Sequence, residues 1–316
     1  MFFAKAISAV LTMLIIIGVG FLAAKLGFVE EETEVKLSKL TLNFSVPCLL
    51  FVSCLNHINR ELILELGFLL LIPALIILSG YLISIAVGKL FRIKRANFGL
   101  FCVMFSMSNA IFIGLPICLM IFGEEALPLV AAYFPFNALL FWTIGAAGIA
   151  VDVGKKEKLR LAAVKQVFSP PLIGAIFGAI FALASIPLPL FLVDAMRYLG
   201  NLTTPIACIL VGCTVFNMGK GMLHLTREGK LTLVGRFIVS PLIALGLCLI
   251  FKAPAMVTNV FTLEAAMPVM SQCMLLARSK GANHRLAAQM VAVTAVVAML
   301  YVPGLVFLLV TVYGLL

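Results

Sequence analysis

Two stretches of this 316-residue chain set polar side chains beside a proline within otherwise apolar sequence. The first reads Phe105-Ser106-Met107-Ser108-Asn109-Ala110-Ile111-Phe112-Ile113-Gly114-Leu115-Pro116. The second reads Phe261-Thr262-Leu263-Glu264-Ala265-Ala266-Met267-Pro268-Val269-Met270-Ser271-Gln272. Proline has no backbone N–H and disfavours helix in the residue before it, so each stretch is expected to interrupt a helix. The N-terminus of a half-helix offers unpaired N–H groups and a partial positive charge, which suit a carboxylate. Ser108, Asn109 and Pro116 from the first stretch, with Met267, Pro268, Ser271 and Gln272 from the second, form the candidate binding set. As an uncharged donor, Asn109 could orient a carboxylate without holding it too tightly. Its plainer use is an interhelical hydrogen bond worth about 0.6 kcal/mol.

Glu264 is the acidic residue placed well inside an apolar run. A carboxylate there is expensive and marks a functional site by default. It could take up the H+ or Na+ that drives a transport cycle, or face a wet vestibule. No Lys or Arg is placed in the membrane core on these grounds, so the half-helix ends would have to neutralise an anion. The three histidines fall in connections, the eight cysteines lie in apolar runs without a CxxC pair, and no metal-binding spacing links them. No metal or cofactor is expected beyond a coupling ion. HExxH, GxSxG and GxxxxGK[ST] are absent, and the chain is not read as an enzyme.

The elements that must position these residues are membrane helices. Hydrophobic residues make up 63% of the chain and charged residues 11%, far from the balance of a soluble domain. Mean hydropathy is +1.20. Apolar runs long enough to cross a bilayer fall at 4–26, 37–56, 64–89, 97–121 and 126–151, then at 168–186, 189–217, 231–251, 254–278 and 284–314. The first is followed by Glu30-Glu31-Glu32 rather than a cleavage site, so it reads as a span and not a signal peptide. With ten spans, all of the 23 basic residues except Lys5, Arg60, Arg197 and Lys252 fall in the connections after spans one, three, five, seven and nine, Arg236 among them. The positive-inside rule then puts both termini outside the cytoplasm of a cell inner (plasma) membrane. The net charge of +10 serves topology, and no nucleic-acid partner is expected.

Asn43-Phe44-Ser45-Val46-Pro47 in span two recurs as Asn201-Leu202-Thr203-Thr204-Pro205 in span seven. An odd number of spans separates the copies, which inverts the second relative to the first. Asn43, Pro47, Asn201 and Pro205 are read as structural, stabilising kinks against the crossover. The fold expected is an all-α membrane protein of ten helices in two inverted five-helix repeats, with broken helices four and nine crossing. The first repeat covers 1–151, a cytoplasmic linker 152–165, and the second repeat 166–316.

These motifs resemble the auxin efflux carrier family in its short bacterial form. Leu40-Thr41-Leu42-Asn43 with Val46-Pro47 resembles the second-span motif, and Asn109 to Pro116 the first crossover. Ser169-Pro170-Pro171 with Gly174 and Gly178 resembles the start of span six, with Ser where the family has Asn. Ala265-Ala266-Met267-Pro268 resembles the second crossover, and Thr294 and Pro303 match the last span. The resemblance implies a scaffold module and a transport module, helices crossing at their prolines, and carriage of small carboxylates, with Asn109 in the position that touches the carboxylate. Glu264 stands where plant members carry glutamine, which points to an ion-coupled carrier. A small organic anion and the lipid bilayer are the expected partners, and a homodimer is compatible with them. The rival readings are a sodium-coupled carrier of the bile-acid transporter type and a membrane-embedded ligand sensor without flux.

Overall fold

The computed structural model describes residues 2–155, 168–217 and 225–313. Most of the predicted linker 152–165 lies outside the described residues, as do Lys220 and His224. In chain order the helices are α1 (Phe2–Lys25), α2 (Glu31–Leu40), α3 (Val46–His57), α4 (Arg60–Leu66), α5 (Ile72–Leu90) and α6 (Arg95–Ser106). They continue with α7 (Leu115–Phe122), α8 (Leu127–Leu140), α9 (Ala146–Asp152), α10 (Pro170–Leu183), α11 (Leu190–Asn201) and α12 (Thr203–Asn217). The last are α13 (Arg227–Val234), α14 (Ser240–Ile250), α15 (Ala255–Ala265), α16 (Gln272–Lys280) and α17 (His284–Tyr313). No β-strand occurs among the described residues.

Local chemistry sets several ends. Asn59 caps α4 by accepting from the Leu62 N–H at 2.7 Å, and Asn283 caps α17 by accepting from Leu286 N at 3.1 Å. Pro170 and Pro171 open α10, where the missing N–H costs nothing. Of the four five-residue π segments among the described residues, three, Thr41–Ser45, Ala110–Gly114 and Gly235–Val239, each end two residues before a proline: Pro47, Pro116 and Pro241. A proline ring clashes with the carbonyl four residues back, and a widened turn relieves that clash without ending the helix.

Among the described residues, six helical stretches are long and apolar enough to cross a membrane: Glu32–His57, Gly67–Leu90, Glu124–Asp152, Leu190–Asn217, Arg227–Ile250 and His284–Leu309. They fall on six of the predicted runs. Runs 4–26, 97–121 and 168–186 hold the shorter apolar helices Leu11–Lys25, Ala110–Phe122 and Pro170–Leu183. Run 254–278 is divided between α15 and α16. Leu190 and Leu300 are more than three-quarters exposed, as side chains facing lipid would be.

The chain forms two compact units. Unit 1 comprises 1–70, 111–134 and 168–217, and unit 2 comprises 71–110, 135–167 and 218–316. Each unit draws on both halves of the chain. In unit 1, α3 packs on α10 and α1 on α12. Gly174 and Gly178, one turn apart on α10, lie against the backbone of Pro47 and Phe51, where a Cβ would collide. This is the small-residue spacing that lets membrane helices approach closely. In unit 2, Gly99 of α6 meets Gly148 of α9 backbone to backbone.

Candidate crossover site

Within unit 2, α6 stops at Ser106 and α15 at Ala265. Extended backbone follows each: Met107–Asn109 after the first, and Pro268–Met270 after a turn at Ala266 and Met267 in the second. The two pieces lie antiparallel with Ser108 opposite Val269, and the Asn109 N–H donates to the Pro268 carbonyl at 2.8 Å. The Asn109 side chain crosses the same gap, its Nδ2 donating to Ser271 Oγ at 2.9 Å. Sequence-distant Ser108, Asn109, Met267, Pro268 and Ser271 thus come together. Gln272 follows as the first residue of α16, whose N-terminus opens at the break.

Backbone unwound at this depth must find partners within the protein, and each does. The Asn137 amide clasps Ser108 from α8, its Nδ2 donating to the Ser108 carbonyl at 2.7 Å and its Oδ1 accepting from Ser108 N at 3.3 Å. On the other piece, Val269 N donates to Thr294 Oγ1 of α17 at 3.0 Å. Asn137 and Thr294 are both fully buried.

The carbonyls at the ends of α6 and α15 are met by Arg236, which is also fully buried. Its Nε and Nη2 donate to the Met267 carbonyl at 2.9 and 2.7 Å. Nη2 also reaches the Ala265 carbonyl at 2.6 Å, and Nη1 lies 3.5 Å from the Phe105 carbonyl. This corrects the sequence-based placement of Arg236 in a basic connection and the expectation of a core without cations. Arg236 sits in the π segment Gly235–Val239 inside the helical stretch Arg227–Ile250. The signals that could have found it are its position within the apolar run 231–251 and the glycine before it. Asn137 carries no comparable signal, being a lone amide in the apolar run 126–151.

Glu264 is fully buried in the last turn of α15, next in the chain to Ala265. The Ser108 and Thr262 hydroxyls and Gln272 Oε1 are buried without a hydrogen-bond partner among the described residues. Polar capacity therefore remains around the crossover after the backbone is satisfied.

Pro116 departs from expectation. The first break falls at Met107–Asn109, and Pro116 lies beyond the π segment, in the first turn of α7 and in unit 1. The paired residues are Ser108 and Val269, so only Pro268 of the two prolines lies at the paired backbone. The reason is local: the widened turn absorbs Pro116, whereas no such turn precedes Pro268. Asn43 is exposed, and its amide closes onto the Lys39 carbonyl of its own helix at 2.7 Å. Pro47 lies in the first turn of α3 after a π segment. Asn201 ends α11, and Pro205 sits in the first turn of α12.

Known proteins match this chain along nearly its whole length. The model of a family described as "Membrane transport protein" matches residues 5–306. An uncharacterized transporter of Methanothermobacter thermautotrophicus is 28% identical over 273 residues, covering 85% of this chain and 86% of the relative. An uncharacterized transporter of Methanocaldococcus jannaschii is 24% identical over 297 residues, covering 93% and 95%. A match nearly end to end, to a family whose members are named for transport, makes this chain a membrane transporter of the membrane transport protein family, the auxin efflux carrier family that its motifs resemble.

Proposed function

We propose that the protein is a secondary carrier of small mono- or dicarboxylates that binds them at the crossover in unit 2. The observation that carries this reading is the Asn109 amide bridging to Ser271 Oγ across two unwound segments that Asn137, Thr294 and Arg236 brace. A carboxylate would take over those two donors. It would also gain from the N-terminal dipole of α16 and from the buried positive charge of Arg236. The arrangement matches the logic of carriers built on inverted repeats, in which interrupted helices form a site at mid-bilayer.

In this reading ten spans form two inverted five-helix repeats with both termini outside the cytoplasm. Unit 2 carries the site between the two sides in an elevator-type cycle while unit 1 stays fixed. The division of the chain supports it: unit 2 holds the whole unwound pair, and unit 1 holds the predicted spans one, two, six and seven together with 111–134. Glu264 takes up the coupling cation, with H+ preferred.

Counterflow of labelled carboxylates in proteoliposomes tests the site. Asn109→Ala, reconstituted in equal amount, should exchange substrate at least about tenfold more slowly, the scale of one lost hydrogen bond to a charged group. Flux equal to the parent's would mean that the carboxylate sits elsewhere. Glu264→Gln should abolish the response of uptake to an imposed pH gradient. A gradient response equal to the parent's would remove Glu264 from coupling.

A further inference from the structure

Helix C-termini leave carbonyls without intrahelical partners, and the partial negative charge gathers there. In hydrocarbon no water can serve them. Carriers assembled from interrupted helices commonly place a dissociable Na+ or H+ on such carbonyls. Here the Phe105, Ala265 and Met267 carbonyls, drawn from the ends of α6 and α15, meet instead on the single guanidinium of Arg236.

The surrounding sequence is built to deliver that group. A Cβ at Gly235 would fall 2.5 Å from Phe105 Cγ, so glycine lets the π segment press against the ring and brings Arg236 within reach. One turn later Ser240 Oγ adds a donor to the Phe105 carbonyl at 3.4 Å. Arginine suits the task because it stays protonated and spreads several donors over a planar fork, whereas lysine offers a point charge.

We propose that Arg236 is a tethered cation that stands where a coupling Na+ would otherwise bind, so that the crossover is held together and the anion is carried without Na+. The proposal rests on the carboxylate site described above, and it makes Arg236 a positioning residue that acts through the two helix ends. It also narrows the coupling ion at Glu264 to H+.

Two readouts test it, one of which needs no flux. Carboxylate exchange by the wild-type protein should run at the same rate with all Na+ replaced by choline, and its melting midpoint should be the same in the two salts. Arg236→Ala should melt about 10 °C lower, the scale of a buried charged group removed from its partners. Its midpoint should recover in millimolar methylguanidinium or Na+ but not in choline, because the Ala265 and Met267 carbonyls lose the guanidinium and the Phe105 carbonyl keeps only Ser240 Oγ. A wild-type protein that needs Na+ for exchange or stability overturns the proposal. So does an Arg236→Ala midpoint equal to the parent's, or one lowered without recovery in either small cation. Should Arg236→Ala fail to fold, the wild-type comparison of Na+ and choline still decides. If the wild type moves no carboxylate, the site reading fails while the melting experiments continue to report on Arg236.

Discussion

Asn137→Ala is expected to lower the melting midpoint by about 10 °C and to stop transport. The side chain is fully buried and makes both of its hydrogen bonds to the backbone of Ser108. Truncation leaves one N–H and one C=O unsatisfied in a region without water, at about 1–3 kcal/mol each. The two groups together cost about 4 kcal/mol, which moves the midpoint of a protein this large by about 10 °C. It also frees the strand-like piece that holds Asn109 opposite Pro268, so flux should fall further than stability alone explains. Intrinsic fluorescence is a suitable probe, because the one tryptophan, Trp142, lies in unit 2 and packs edge-on against Phe141. A midpoint within about 2 °C of the parent's would show that the Ser108 backbone finds another partner.

Gly99→Ala is expected to cost about 3 kcal/mol, the upper end for overpacking a close contact. The added Cβ would overlap the Gly148 carbonyl carbon and oxygen, which are backbone atoms and cannot rotate away. Nor can the helices slide apart cheaply. Asp152, at the end of α9, accepts from the Gly99 and Leu100 N–H groups at 2.7 and 2.8 Å and pins that end of α9 to α6. Gly148→Ala is the comparison. Its Cβ would meet the Tyr81 hydroxyl at 2.8 Å and Gly99 Cα at 3.3 Å, a side-chain end and a tolerable approach. Gly99→Ala should therefore reduce monodisperse yield and melting midpoint more than Gly148→Ala does. Equal or reversed effects would mean that the α6–α9 contact yields more easily than its backbone geometry implies.

Much of the architecture was readable in one dimension. Apolar runs flanked by charge mark membrane helices because the bilayer admits few alternatives, and six of the runs fall on helices long enough to cross it. Both interrupted stretches were visible, but the first was expected at Pro116 and falls at Met107–Asn109 before it, while the second falls at Pro268. Asn109 and Ser271, singled out on type and position, turn out to be bonded to each other.

What sequence alone determined, then, is the class of solvent, the helices and the places where helix must fail, because each depends on side chains near one another in the chain. Only the tertiary structure decided how the failed segments are repaired. Ser108 pairs with Val269, Asn137 braces one piece, Thr294 the other, and Arg236 gathers the carbonyls of both helix ends. Those partners are backbone groups far away in the chain, 131 residues distant for Arg236 and Phe105. Every residue presents the same C=O, so nothing in the letters distinguishes a carbonyl that will need a cation from one that will not. Packing brings them together, and the low-dielectric interior makes leaving them bare too costly.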